Sequence, residues 1–149
     1  MNRENVLKSL KFNFATSIFA TIIAIAAFET GYLTKGALAM NLTPEDMYYI
    51  EVSTIMLTIA IIPLALKSFS RAMKKGADLG NDALLKLYGK KSLQRMFLLF
   101  IALVTNIFVY YGTEYNGAMY CAIISFAALL YSYPTDKVLD TYLNSNGTK

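Results

Sequence analysis

The most constraining feature of this sequence is a cluster of eight cations between residues 67 and 95, with a long apolar run on each side. The cations are Lys67, Arg71, Lys74, Lys75, Lys86, Lys90, Lys91 and Arg95. A charged cluster of this size is not readily carried across a bilayer, and the cytoplasmic loops of membrane proteins hold the excess of Lys and Arg. We call residues 67–95 the basic segment. The cluster of cations therefore predicts a membrane protein with this segment on the cytoplasmic side.

The composition agrees with a membrane protein. Of the 149 residues, 56 % are hydrophobic and 16 % are charged, and the mean hydropathy is +0.42. Ordinary soluble domains are about 45–50 % apolar and about 25 % charged. Because four membrane spans consume about half of a chain of this length, we expect residues 1–149 to form a single transmembrane domain.

The apolar runs predict an all-α integral membrane protein with four transmembrane helices in two hairpins. The spans are expected at about residues 11–33, 46–66, 94–111 and 118–133. Thr43 followed by Pro44 is typical of a helix start, with Thr43 as N-cap, so the second helix should begin near Pro44. Gly112 to Gly117 should form a tight turn between the third and fourth spans.

Two short amphipathic helices are predicted outside the spans. Residues 81–89 begin with a capping Asn81 and end with Gly89, so we expect a separate helix that lies on the lipid headgroups. Its Leu84, Leu87 and Tyr88 should point toward the acyl chains. Pro134 should break or bend the chain, and residues 135–143 can form a last cytoplasmic helix.

The distribution of cations predicts the orientation. Thirteen of the fourteen cations lie in the N-terminal head, the basic segment or the C-terminal tail, and Lys35 alone lies on the other side. The positive-inside rule therefore predicts a multi-pass protein of the cell (inner) membrane with both termini cytoplasmic. Anionic lipids of the cytoplasmic leaflet are expected partners of the basic segment. The expected lipid-contacting residues are Lys67, Arg71, Lys74, Lys75, Lys90 and Lys91.

The residue inventory excludes several kinds of chemistry. The chain has no histidine, and Cys121 is its single cysteine, so His-ligated zinc, a Ser-His triad and an intramolecular disulfide are ruled out. No phosphate-binding glycine loop or nucleophile elbow is present. We therefore expect no enzyme activity, no catalytic residues, no metal and no cofactor. The positive charge is explained by membrane topology, and no nucleic-acid-binding motif accompanies it.

Four polar residues are the candidates for an ion, proton or substrate site. Glu29 and Glu51 interrupt apolar spans near their outer ends, Asn106 lies within the third span, and Glu114 lies in the outer turn. Ionised carboxylates in lipid are costly and are functional candidates by default. If Glu29 and Glu51 face each other, they can share a proton or bind a cation. If they reach the outer headgroups, they neither share a proton nor bind a cation. Asn106 can simply hydrogen-bond to a neighbouring helix.

Small residues on two helices suggest close packing or association. Thr16, Ala20, Ala24 and Ala27 lie on one side of the first span, and Ala118, Ala122 and Ser125 lie on one side of the fourth. We expect these two helices to be neighbours, or one of them to form an oligomer contact. The sequence thus favours a small membrane accessory or interaction protein that binds a second copy or another membrane protein. The alternative is an oligomeric small-solute or cation transporter or channel that uses Glu29 and Glu51. An intramembrane enzyme is the weakest hypothesis, because the residue inventory leaves it only carboxylates, tyrosines and hydroxyls.

Overall fold

The computed structural model describes residues 3–76 and 79–147, so Ala77 and Asp78 of the basic segment lie outside the described residues. The described part is all-helical, as the sequence predicts. It consists of α1 (Arg3–Glu29), α2 (Pro44–Lys75), α3 (Asn81–Thr113), α4 (Asn116–Tyr131) and α5 (Asp136–Gly147).

The start of α2 is fixed by a capping box. Thr43 is the N-cap, its side chain accepts a hydrogen bond from the backbone N–H of Asp46, and the Asp46 side chain accepts one from the backbone N–H of Thr43. Pro44 occupies the first turn, where its missing N–H costs nothing. The predicted N-cap is therefore confirmed. The helix then runs to Lys75, well past the end of the apolar run.

Helix α3 is the centre of the molecule, because it packs against α1, α2, α4 and α5. Its buried residues recur at helical spacing along one side, as expected for a helix with a continuous buried face. Those between residues 84 and 107 are Leu84, Leu85, Tyr88, Ser92, Arg95, Met96, Leu99, Ala102, Leu103, Asn106 and Ile107.

The expectation of a separate helix over residues 81–89 is wrong. These residues are the first turns of α3, which continues through Gly89 without a break. A Cβ on Gly89 would lie 3.0 Å from Cγ1 of Val6, so the glycine allows α1 to approach α3 closely and does not end a helix.

The predicted orientation of this segment toward lipid is also wrong. Leu84 and Tyr88 are each only 1 % exposed, and Leu87 is half-buried. The physical reason is the length of α2, whose last turns carry Phe69 and Met73 into the same buried cluster. Leu84 and Tyr88 therefore pack against protein, whereas Leu87 lines a groove between α2 and α3.

Helix α1 packs mainly on α3, where Phe28 contacts the rings of Phe108 and Tyr111. Helix α4 packs on α3 and α2. The predicted pairing of α1 with α4 is therefore not what the structure shows: the two helices stand on either side of a groove of about 500 Å³ whose floor is α3. The small residues Ala118 and Ser125 are fully buried on the face of α4 that packs into the bundle.

The chain bends by 57° between α4 and α5, at the break that contains Pro134. Helix α5 lies beside the start of α1: Arg3 pairs with Asp140 at 2.7 Å and Lys11 with Asp136 at 3.2 Å. The hydrogen bond from Lys11 holds the pKa of the Asp136 carboxyl below its ordinary value. We call this end of the bundle the basic end, because it also contains the basic segment. The end that carries residues 30–43 is called the loop end.

Within the described residues, three helices are long and apolar enough to cross a membrane, namely α1, α2 and α3. Helix α4 has 16 residues and adds a fourth span only if the bent pair α4 and α5 is counted as one. With the apolar composition, this describes a multi-pass membrane protein. Helix α1 begins at Arg3, before the start of the predicted span of 11–33. It ends at Glu29, before the predicted end, because Gly31 turns the chain at φ 79°.

Candidate functional site: polar groups at the loop end and inside the bundle

The loop of residues 30–43 folds over the end of α3. The backbone N–H of Gly36 donates to the carbonyl of Tyr111 at 2.8 Å, and the N–H groups of Leu38 and Ala39 donate to the carbonyl of Gly112 at 3.1 and 3.2 Å. The last carbonyls of a helix have no partner within the helix, so the loop satisfies groups that would otherwise be left open. This fixes the loop next to the last turn of α1.

Glu29 lies in this corner and its charge is balanced there. Its Oε2 is 2.7 Å from Nζ of Lys35, and its Oε1 accepts a hydrogen bond of 2.7 Å from the hydroxyl of Tyr111. The Lys35 ammonium also lies 5.4 Å from the centre of the Tyr111 ring. The Glu29 side chain is 54 % exposed. The carboxylate thus has two partners at the surface of the loop end.

Glu51 lies elsewhere, against the first turn of α4. A Cβ built on Gly117 would collide with Oε1 of Glu51, so glycine is what leaves room for the carboxylate there. The N-terminus of a helix carries a partial positive charge, which favours a nearby anion. Glu51 is half-buried and lies on the same side of α2 as Thr54 and Thr58, three and seven residues further on.

The side chain of Asn106, on α3, faces α2 and is fully buried. Its Nδ2 donates to Oγ1 of Thr58 at 2.8 Å and to the carbonyl of Ala102 at 2.7 Å, and the Thr58 hydroxyl donates to the carbonyl of Thr54 at 2.9 Å. Oδ1 of Asn106 is buried without a hydrogen-bond partner, as is Oγ of Ser125 on α4. The hydrogen bond to Thr58 is the interhelical contact that the sequence suggested for this amide.

Apolar side chains fill the bundle between Asn106 and the basic end. Leu99, Ala102 and Leu103 of α3 and Leu129 of α4 are all buried, with 0 to 2 % exposure. Close-packed apolar side chains leave no room for water. Along α3, these residues separate the polar groups near Asn106 from those near Arg95.

Arg95 is buried at the basic end, and its environment was not foreseen from the sequence. It is 9 % exposed, its Nη2 donates to the carbonyl of Ser132 at 3.0 Å, and its guanidinium carbon lies 4.0 Å from the centre of the Phe69 ring. Its Nε has no partner. A sequence signal existed, because Arg95 falls between Ser92 and Leu99 on the helical spacing of the buried face.

The structure therefore divides the predicted site residues among three places. Glu29 lies with Lys35 and Tyr111, and the Glu114 carboxyl carbon lies 3.9 Å from the Cβ position of Gly36 in the same loop. Glu51 contacts α4, and Asn106 is inside the bundle. Within residues 3–76 and 79–147, no cluster of three or more His, Cys, Asp or Glu residues is suited to a metal ion.

The predicted lipid-contacting cations lie on the surface of the basic end, except one that is half-buried. The exposed ones are Lys67, Arg71, Lys74, Lys75 and Lys90, and the half-buried one is Lys91.

No family model matches this sequence, no curated protein is significantly similar to it, and no solved structure matches it significantly.

Proposed function

We propose that this chain is a small integral-membrane accessory protein, without catalytic activity, that binds an apolar transmembrane helix in the groove between α1 and α4. The groove is the observation that carries the proposal. It measures about 500 Å³ and is lined almost entirely by apolar side chains of α1, α3 and α4, among them Ile22, Ile107 and Ile123. Ala122 lines the groove on the α4 side, and small residues at such faces let helix backbones approach closely.

The packing of α1 supports the same function. Because α1 makes its main contacts with α3, much of its apolar surface is left for lipid or for a partner, including Phe19, Ile22 and Ile23. A partner helix in the groove would contact α1, α3 and α4 at once. The partner is a second copy of this chain or another membrane protein.

The concentration of cations at the basic end supports an orientation with this end, and both termini, in the cytoplasm. For a bacterial cell this is the inner membrane. The loop end with Glu29 and Glu114 then faces outward.

Photocrosslinking tests the groove. A photoreactive amino acid in place of Ile22 or Ile123 is expected to give a discrete protein adduct in native membranes. The same amino acid in place of Met56 or Ile59 on α2 is the matched control, because these side chains are equally exposed, at 69 and 66 % against 57 and 58 %. A product of twice the 16.6 kDa chain would identify a second copy.

A variant that fills the groove gives a second test of the same proposal. Ala122→Phe should abolish the adduct while the controls remain unchanged. Crosslinks from Ile22 and Ile123 to lipid alone, as from the α2 positions, would contradict the proposal.

A transporter or channel is the second candidate, and one observation favours it. Glu51, Thr54 and Thr58 share the inward side of α2, and the buried Asn106 beside them has an unpartnered acceptor. A path for a proton or cation along these groups predicts flux into proteoliposomes that Glu51→Gln removes. Glu29→Gln is the control that retains flux, because Lys35 already balances that carboxylate. The apolar layer between Asn106 and Arg95 is the reason we place this candidate second.

A further inference from the structure

A second groove lies at the basic end, between α2 and α3, and has a different character from the groove between α1 and α4. It has a volume of about 600 Å³. Three cations line it: Arg71 and Lys75 from the last turns of α2, and Lys91 from α3. The groove exists because α2 extends beyond its apolar run and α3 begins early, so that the two helices stand side by side at this end.

The three cations have no acidic partner in the described part of the chain. The ion pairs formed by residues 3–76 and 79–147 are those of Arg3, Lys11 and Lys35. Lys91 donates to the side-chain oxygen of Gln94 at 3.1 Å, which is a neutral group. Among the described residues, no carboxylate pairs with these cations, and such a positive groove favours an anion.

Apart from Ser68, the rest of the groove is lined by apolar residues and reaches an exposed apolar side chain of α2. Leu79 and Leu87 line it near the cations, and Leu64 lines its other end. Leu64 is two helical turns before Arg71, roughly 10 Å along α2 at 1.5 Å per residue, and is 61 % exposed. An occupant of this groove must therefore join an anionic group to an apolar chain.

We propose that this groove is a binding site for one anionic phospholipid, with its phosphate at Arg71, Lys75 and Lys91 and an acyl chain along Leu64. Basic pockets between transmembrane helices are suited to anionic headgroups in this way. The proposal goes beyond the accessory function and does not depend on it. It also differs from diffuse attraction to the basic segment, because it singles out three cations among the eight.

The chain offers a matched pair of variants for the test. The groove triple is Arg71→Gln, Lys75→Gln and Lys91→Gln. The control triple is Lys67→Gln, Lys74→Gln and Lys90→Gln. Each removes three positive charges, two from α2 and one from α3, but the control residues do not line the groove.

Native mass spectrometry of the full chain in micelles measures the dissociation constant of the first bound phosphatidylglycerol. With about 1 kcal/mol for each cation, the groove triple should weaken binding about a hundredfold. The control triple should weaken it only a few fold, since its charges act through a screened field. Circular dichroism checks that both triples retain their helices; if the groove triple does not fold, Arg71→Gln against Lys74→Gln carries the same comparison.

Three results would overturn the site. Equal weakening by the two triples would mean diffuse attraction. If phosphatidylcholine bound as tightly as phosphatidylglycerol, the net charge of the lipid would play no role in binding. Displacement of the lipid by an equal concentration of glycerol 1-phosphate would mean that the groove takes a free phosphate and that the apolar end contributes nothing.

Discussion

The contact between Asn106 and Thr58 allows a quantitative test of how this bundle is held together. The hydrogen bond from Nδ2 to Oγ1 is 2.8 Å long, and both residues are buried. Interhelical hydrogen bonds in membranes average about 0.6 kcal/mol and reach about 1.7 kcal/mol. We expect the coupling between the two side chains, measured by a double-mutant cycle, to fall in this range.

The two single variants should differ in how much they change the free energy of unfolding. Thr58→Val removes the acceptor and leaves Nδ2 with only the carbonyl of Ala102, so it should destabilise by about 1 kcal/mol. Asn106→Leu keeps the branched shape and also removes Oδ1, which is buried without a partner. Removing an unsatisfied polar atom recovers about 1–3 kcal/mol of desolvation, which offsets the lost hydrogen bond. Asn106→Leu should therefore be close to neutral.

The assay is reversible unfolding of the purified chain in mixed micelles as the fraction of denaturing detergent is raised, followed by circular dichroism. Thr16→Val is the matched control, because Thr16 is exposed and its hydroxyl bonds only within α1, to the carbonyl of Phe12. It should change the free energy of unfolding by less than about 0.5 kcal/mol. A coupling of zero would refute the interhelical hydrogen bond. A cost of about 3 kcal/mol or more for Asn106→Leu would mean that Oδ1 has a partner such as water, which would favour the transporter.

Three further predictions concern the orientation and the basic end. In a variant without the native cysteine, Met40→Cys should react with an impermeant reagent added to intact cells and Gly80→Cys should not; labelling of residue 80 alone would reverse the orientation. Arg95→Lys should cost about 2 kcal/mol in thermal unfolding, because an ammonium cannot stack on the ring as a planar guanidinium does; an unchanged melting temperature would contradict the cation–π contact. The contact between Lys11 and Asp136 should be complete above the ordinary pKa of a carboxyl group and lost as the pH falls through the lowered pKa of Asp136; the protection of α5 amides from hydrogen exchange, corrected for the intrinsic exchange rate, should fall in that acid range, and Asp136→Asn should reduce this pH dependence.

The sequence by itself determined the elements whose signals are local. The apolar runs, the cap at Thr43 and the break at Pro134 each act over a few residues, and the structure places α2, α4 and α5 where these signals indicate. The exclusion of His-ligated zinc, a Ser-His triad and an intramolecular disulfide likewise needed only the residue inventory. The candidate residue Asn106 was found because an amide stands out within an apolar run, and the surface position of most basic residues follows from the cost of burying a charge.

Only the tertiary structure decided which apolar and polar faces meet. Residues 81–89 have an amphipathic pattern that suits a lipid surface or a protein surface equally, and the continuation of α2 to Lys75 selected protein. The same extension carries Phe69 to the guanidinium of Arg95 and turns a residue of the basic segment into a buried one. Glu29 and Glu51 lie at similar depth in the sequence pattern, yet one meets Lys35 and the other Gly117. Such pairings depend on the rotation and spacing of whole helices, which are set by packing summed over many residues and not by any one segment.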